Sequence, residues 1–104
     1  ILYKGKTEDI ACKINEDYEK MQSEGKRAGI MSTVQTENYY RGKVKISCGD
    51  RTNLLTISSN LFKCLRDFDH MGTEVILAES VDEEGLGKAI MNRLGKASSE
   101  TINL

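Results

Sequence analysis

The chain has 104 residues, the size of one domain, and with 38% hydrophobic and 30% charged residues it can bury a core without disulfides or metals. Fifteen basic residues against sixteen acidic ones leave a net charge of −1, which gives no sequence-wide attraction to phosphate backbones and argues against direct nucleic-acid binding. Apolar runs of only a few residues leave no candidate for a membrane-spanning helix or a signal peptide.

Ile1-Leu2-Tyr3 reads as a strand, and because Ile1 is not an initiator Met the expectation is a piece cut from a longer chain. Ile10, Ala11, Ile14, Tyr18 and Met21 then recur at three- and four-residue steps, the apolar face of a helix. Thr7 is its expected N-cap, Glu8 and Asp9 suit the positive end of the dipole, and Gly25 suits the stop. Ala28 to Met31 is a second strand and Val44 to Cys48 a third. The link between them contains Thr36 to Tyr40, long enough for a turn or two of helix. Leu54, Ile57, Leu61, Leu65 and Phe68 form a second apolar face, with Asp50 or Thr52 as cap and Gly72 as end.

Val75 to Ala78 is the fourth strand. Leu86, Ala89, Ile90, Leu94 and Ala97 form a third helix, and Ser80 with Glu83 has the spacing of a capping box before it. Ser98 to Leu104 is polar enough to fray. Strands alternating with helices indicate an α/β domain of three layers, Rossmann-like, with a mainly parallel sheet of about four strands. Right-handed crossovers favour the strand order 3-2-1-4.

Few residues offer chemistry. Cys12, Cys48 and Cys64 are widely spaced and lack a CxxC, so they read as small buried thiols of a reducing cytosol, not as a zinc or redox site. His70, the single histidine, sits at a helix end beside Asp67 and Asp69, too poor a set for a metal or for a triad. Asp50 ends the third strand as a phosphoacceptor might, but Gly5-Lys6 stands where an acidic pair for Mg²⁺ belongs. Gly85-Leu86-Gly87-Lys88 opens a helix after a strand, a place that can hold phosphate. It fails the P-loop pattern at Asp82 and Ala89, and Asp82, Glu83 and Glu84 would repel an anion. The glycines then serve a tight helix entry.

The third helix carries Lys88, Asn92, Lys96 and Ser99 along one polar row, with Arg93 beside it. Glu79 lies at the C-terminal end of a strand, where open α/β sheets place ligands, so Glu79 with Asn92 and Arg93 is the expected polar cluster. Tyr39-Tyr40, in the least regular segment, is the expected part of a docking contact, since Tyr is enriched at interfaces.

NLFKCLRDFDHMG (Asn60 to Gly72), TEVILAES (Thr73 to Ser80) and EEGLGKAIMNRLGKAS (Glu83 to Ser98) together resemble the C-terminal domain of two-domain threonylcarbamoyl-AMP synthases, whose first domain is of the YrdC type. The first half matches more loosely, through the opening strand and Ala28-Gly29-Ile30. Ser59, Lys88 and Gly95 depart from the family pattern, and Gly95 should weaken its helix by roughly 1 kcal/mol relative to Ala.

The resemblance implies a parent enzyme that condenses threonine, bicarbonate and ATP into threonylcarbamoyl-AMP and pyrophosphate, for transfer by a partner complex to adenosine 37 of tRNA. It implies that ATP and Mg²⁺ belong to the YrdC-type domain, with no cofactor, catalytic residue or metal in residues 1–104. That catalytic domain and the interdomain linker are expected outside this chain, in the cytoplasm, with the chain as a lid or support that docks on the catalytic half. A second copy of the chain is a further candidate partner. The competing expectation is a free-standing nucleotide- or metabolite-binding module that uses the sheet edge near Glu79 and Gly85.

Overall fold

The apolar steps at helical spacing do form helices, and the β-rich runs between them line up side by side. A computed structural model describes all 104 residues. In chain order the elements are β1 (Leu2–Lys4), α1 (Thr7–Ser23), β2 (Ala28–Ser32), β3 (Lys45–Ser47), α2 (Leu54–His70), β4 (Val75–Glu79), α3 (Leu86–Ala97) and β5 (Thr101–Asn103). A single 3-10 turn, Glu37–Tyr39, interrupts the link from β2 to β3.

The fold class is as expected: a small three-layer α/β domain around a parallel sheet. The sheet has five strands in the order β3-β2-β4-β1-β5, which corrects the expected four in the order 3-2-1-4. β4, whose apolar run is unbroken from Val75 to Ala78, takes a central place between β2 and β1 and is hydrogen-bonded on both sides. The tail from Ser98 onward does not fray into solvent. Thr101–Asn103 pairs in parallel with Leu2–Lys4 as β5, its Ile102 packs on the α1-side core, and the Leu104 N–H donates to the Lys4 carbonyl at 2.8 Å.

Two apolar cores flank the sheet. On one face α1 covers Tyr3, Ile10, Ile14, Tyr18, Ile30 and Leu77. On the other, α2 and α3 cover Leu2, Met31, Ile57, Leu61, Phe68, Ile90 and Leu94. Each fully buried Leu, Ile or Phe side chain contributes about 1.5–3 kcal/mol, so these faces hold the layers together. The crossover through α1 runs one way across the sheet, and those through α2 and α3 run back on the opposite face. Reversing direction together with face keeps all three crossovers of one hand, as strand twist requires.

The helix starts differ from the expected caps. α1 begins after Lys6, α2 after Asn53 and α3 after Gly85, none with a side-chain cap. Asp50 instead closes a turn: its Oδ1 accepts from the Thr52 N–H at 2.8 Å and from the Thr52 hydroxyl at 2.6 Å. Those bonds hold its carboxyl below the usual range. Cys48 and Cys64 are buried as expected, but Cys12 lies exposed on the outer side of α1.

Candidate functional site

At the C-terminal edge of the sheet β2 and β4 lie side by side, yet their following links leave toward opposite faces. Open α/β sheets form crevices at such reversals. Here the crevice is filled from three segments. Glu79 ends β4, Thr33 follows β2, Thr36 and Tyr40 come from the link beyond, and Arg51 comes from the turn between β3 and α2.

The Glu79 carboxylate is only 4% exposed, and a bare charge at that depth costs several kcal/mol unless it is paired. It is paired on every side. The Thr33 hydroxyl donates to Oε1 at 2.7 Å, the Thr36 hydroxyl to Oε2 at 2.8 Å, and the Tyr40 hydroxyl also donates to Oε2. Arg51 Nη2 sits 3.2 Å from Oε1 and donates to the Ser80 carbonyl at 2.7 Å, while Arg51 Nε donates to Thr33 Oγ1 at 3.2 Å. Asn15 on α1 locks the link from behind, its amide donating to the Tyr39 carbonyl at 2.8 Å and accepting from the Arg41 N–H at 3.0 Å.

Burial first, and then the charge of Glu79, pushes the Tyr40 phenol far above its ordinary range. A phenol held protonated is no base near neutral pH, and a carboxylate that accepts from three hydroxyls and faces a guanidinium has little left to offer a substrate. The arrangement ties three connections together at the sheet edge. It does so with the residues that a ligand would otherwise need.

The expected site residues are thus divided. Glu79 and Tyr40 meet in this cluster, whereas Tyr40 is too buried, at 3% exposure, to be a docking contact on its own surface. Tyr39 is exposed and turned outward. Asn92 and Arg93 do not join Glu79; both are exposed on α3, and the Arg93 guanidinium lies 5.1 Å from the centre of the Phe62 ring. Arg51, Thr33 and Thr36 were missed by sequence reasoning. Their signal was position: Thr33 directly follows β2, and Thr36 and Arg51 each lie four residues past the end of a strand.

Gly85 and Gly87 serve the helix entry. Gly85 takes φ +56°, and a Cβ on Gly87 would lie 1.7 Å from the Asp82 carbonyl oxygen. The turn is folded shut against its own backbone, and Asp82, Glu83 and Glu84 stand exposed around it. These residues do not fit a nucleotide phosphate or its Mg²⁺.

Residues 1–99 match the family described as the threonylcarbamoyl-AMP synthase C-terminal domain. Among similar curated proteins, the threonylcarbamoyl-AMP synthase of Pyrococcus abyssi is 40% identical over 98% of this chain and 28% of its own length. That of Bacillus subtilis is 37% identical over 81% of this chain and 24% of its own. The chain therefore spans about a quarter of the relatives it matches. The crystal structure of P. abyssi Sua5 complexed with L-threonine superposes with a TM-score of 0.87 at 38% identity, over 99% of this chain and 29% of that one. The structure of a C-terminal Sua5 domain from Pyrococcus horikoshii superposes at 0.78 and 31% identity, over 99% of this chain and 93% of that one.

Proposed function

The chain belongs to the C-terminal domain family of threonylcarbamoyl-AMP synthases, and from that premise we propose that it is the accessory domain of such an enzyme, docking on a YrdC-type catalytic domain and governing access to it. The parent reaction joins threonine, bicarbonate and ATP into threonylcarbamoyl-AMP and pyrophosphate, and serves the modification of tRNA at position 37. ATP, Mg²⁺ and threonine belong to the catalytic half in this reading, and the setting is the cytoplasm. Interfaces between such domains are modest in area and allow hinge motion, which suits a lid or support.

The observation that carries the accessory role is the closed Glu79 cluster. At the edge where an α/β sheet would seat a substrate, the one buried carboxylate spends its acceptors on Thr33, Thr36, Tyr40 and Arg51. The isolated chain is expected to release no pyrophosphate from ATP in the presence of threonine and bicarbonate. Dependence of pyrophosphate release on both co-substrates, with this chain alone, overturns the reading. Calorimetric titration with ATP or AMP separates the competing module: tight binding to the isolated chain favours that alternative.

A further inference from the structure

The net charge of −1 conceals a division between the two faces of the sheet. α1, alone on its face, carries five acidic residues against two basic ones. α2 and α3, together on the other, carry five basic residues against two acidic ones. Lys63 is matched by Asp67 at 3.2 Å. Arg66, Arg93 and Lys96 are exposed and have no carboxylate partner within salt-bridge distance.

The same face shows apolar surface that the fold leaves open. Leu55, Phe62 and Arg66 recur at seven- and four-residue steps on α2, and Leu86, Arg93 and Lys96 at seven- and three-residue steps on α3. Leu55 is 63% exposed, Phe62 54% and Leu86 40%. Between the helices runs an open groove of about 350 Å³, floored by Leu61, Leu65, Leu94 and Ala97 and edged by Phe62, Arg93 and Lys96. Large apolar side chains with unpaired cations at the Phe62 end, and with the exposed Asp82, Glu83 and Glu84 just ahead of Leu86, have the layout of a protein interface: an apolar centre that excludes water, with a charged rim that selects the partner.

We propose that this α2/α3 seam is the face by which the chain docks on the catalytic domain, and that the surface it meets there is acidic at the rim and apolar at the centre. The proposal rests on the accessory-domain reading and adds the face and the chemistry of the partner. RNA is the weaker occupant for this seam. The Phe62 ring, which would have to stack on a base, is already covered by the Arg93 guanidinium, and Leu55 and Leu86 offer aliphatic surface that bases do not use.

The test is calorimetric titration of the chain with the separately produced catalytic domain. Wild type is compared with Phe62→Glu, Arg93→Glu, Tyr39→Ala and Glu16→Lys, each checked for folding by circular dichroism. All four positions are exposed, so the fold should survive each change. Phe62→Glu and Arg93→Glu are expected to weaken binding tenfold or more, with the Arg93→Glu effect shrinking as salt is raised. Tyr39→Ala and Glu16→Lys are expected to leave binding within twofold of wild type. If the wild-type chain binds but only Tyr39→Ala or Glu16→Lys weakens it, this face is wrong while the accessory reading stands. Absence of any wild-type binding overturns both. If instead tRNA binds the wild-type chain and Arg93→Glu abolishes that binding, the protein occupant is overturned.

Discussion

Removing one member of the Glu79 cluster leaves a buried charge without its partner, and the size of the effect measures how much of the fold hangs on that edge. Glu79→Ala is expected to cost about 3–5 kcal/mol, because it strands Arg51 and three hydroxyls at a largely buried site. Tyr40→Phe removes only one donor and should cost about 1–3 kcal/mol. Urea denaturation of the two variants checks the order, and a Glu79→Ala cost below that of Tyr40→Phe contradicts the picture of a saturated charge. Glu79 was legible in the sequence because a carboxylate at the end of an apolar strand is conspicuous. Thr33, Thr36 and Arg51 were not, since they reach it from links whose path depends on β4 lying between β2 and β1. Asn92 and Arg93 were drawn in by helical spacing, which fixes a face of α3 but not what that face looks toward.

Two glycines of α3 test the helix as an element, and they should respond in opposite directions. Gly95 lies exposed with open space where a Cβ would go, so Gly95→Ala should stabilise by about 1 kcal/mol. Gly87 has the Asp82 carbonyl where its Cβ would go, so Gly87→Ala must push the turn open, at about 1–3 kcal/mol or more. Thermal melts of the two variants decide it: equal shifts in the same direction contradict the tight helix entry. The helices were readable because each has one apolar stripe, and β2 and β4 because they are nearly all apolar. β5 was not, because Ile102 is its one apolar residue. It forms because β1 offers an unpaired edge to it, and an edge is a property of the sheet, invisible in the tail itself.

At the scale of the molecule, two tyrosines tie stability to alkaline pH. Tyr3 and Tyr40 are both buried, and burial raises each phenol above its ordinary value of 10.0, with the Tyr3 hydroxyl also donating to Asp17 at 2.7 Å. A group whose folded value is raised contributes stability that is whole below pH 10 and is lost as pH climbs above it, because only the unfolded chain then gives up the proton. Each tyrosine should steepen that loss by about 1.4 kcal/mol per pH unit. Tyr3→Phe and Tyr40→Phe should each flatten the decline between pH 10 and 11, whatever their effect at pH 7. A decline of unchanged slope in both contradicts the assignment. The same scale holds what composition concealed: a near-neutral chain whose covering helices carry opposite net charge on the two sides of the sheet, which only the layer arrangement separates.

On the proposed function, a domain of this kind assists a reaction without performing one. The most direct measurement is the rate of pyrophosphate release from ATP with threonine and bicarbonate, taken for the catalytic domain alone, for this chain alone, and for the two mixed. The prediction is no release by the chain alone and a changed rate on mixing. Turnover by the chain alone, or a mixture no different from the catalytic domain by itself, contradicts it.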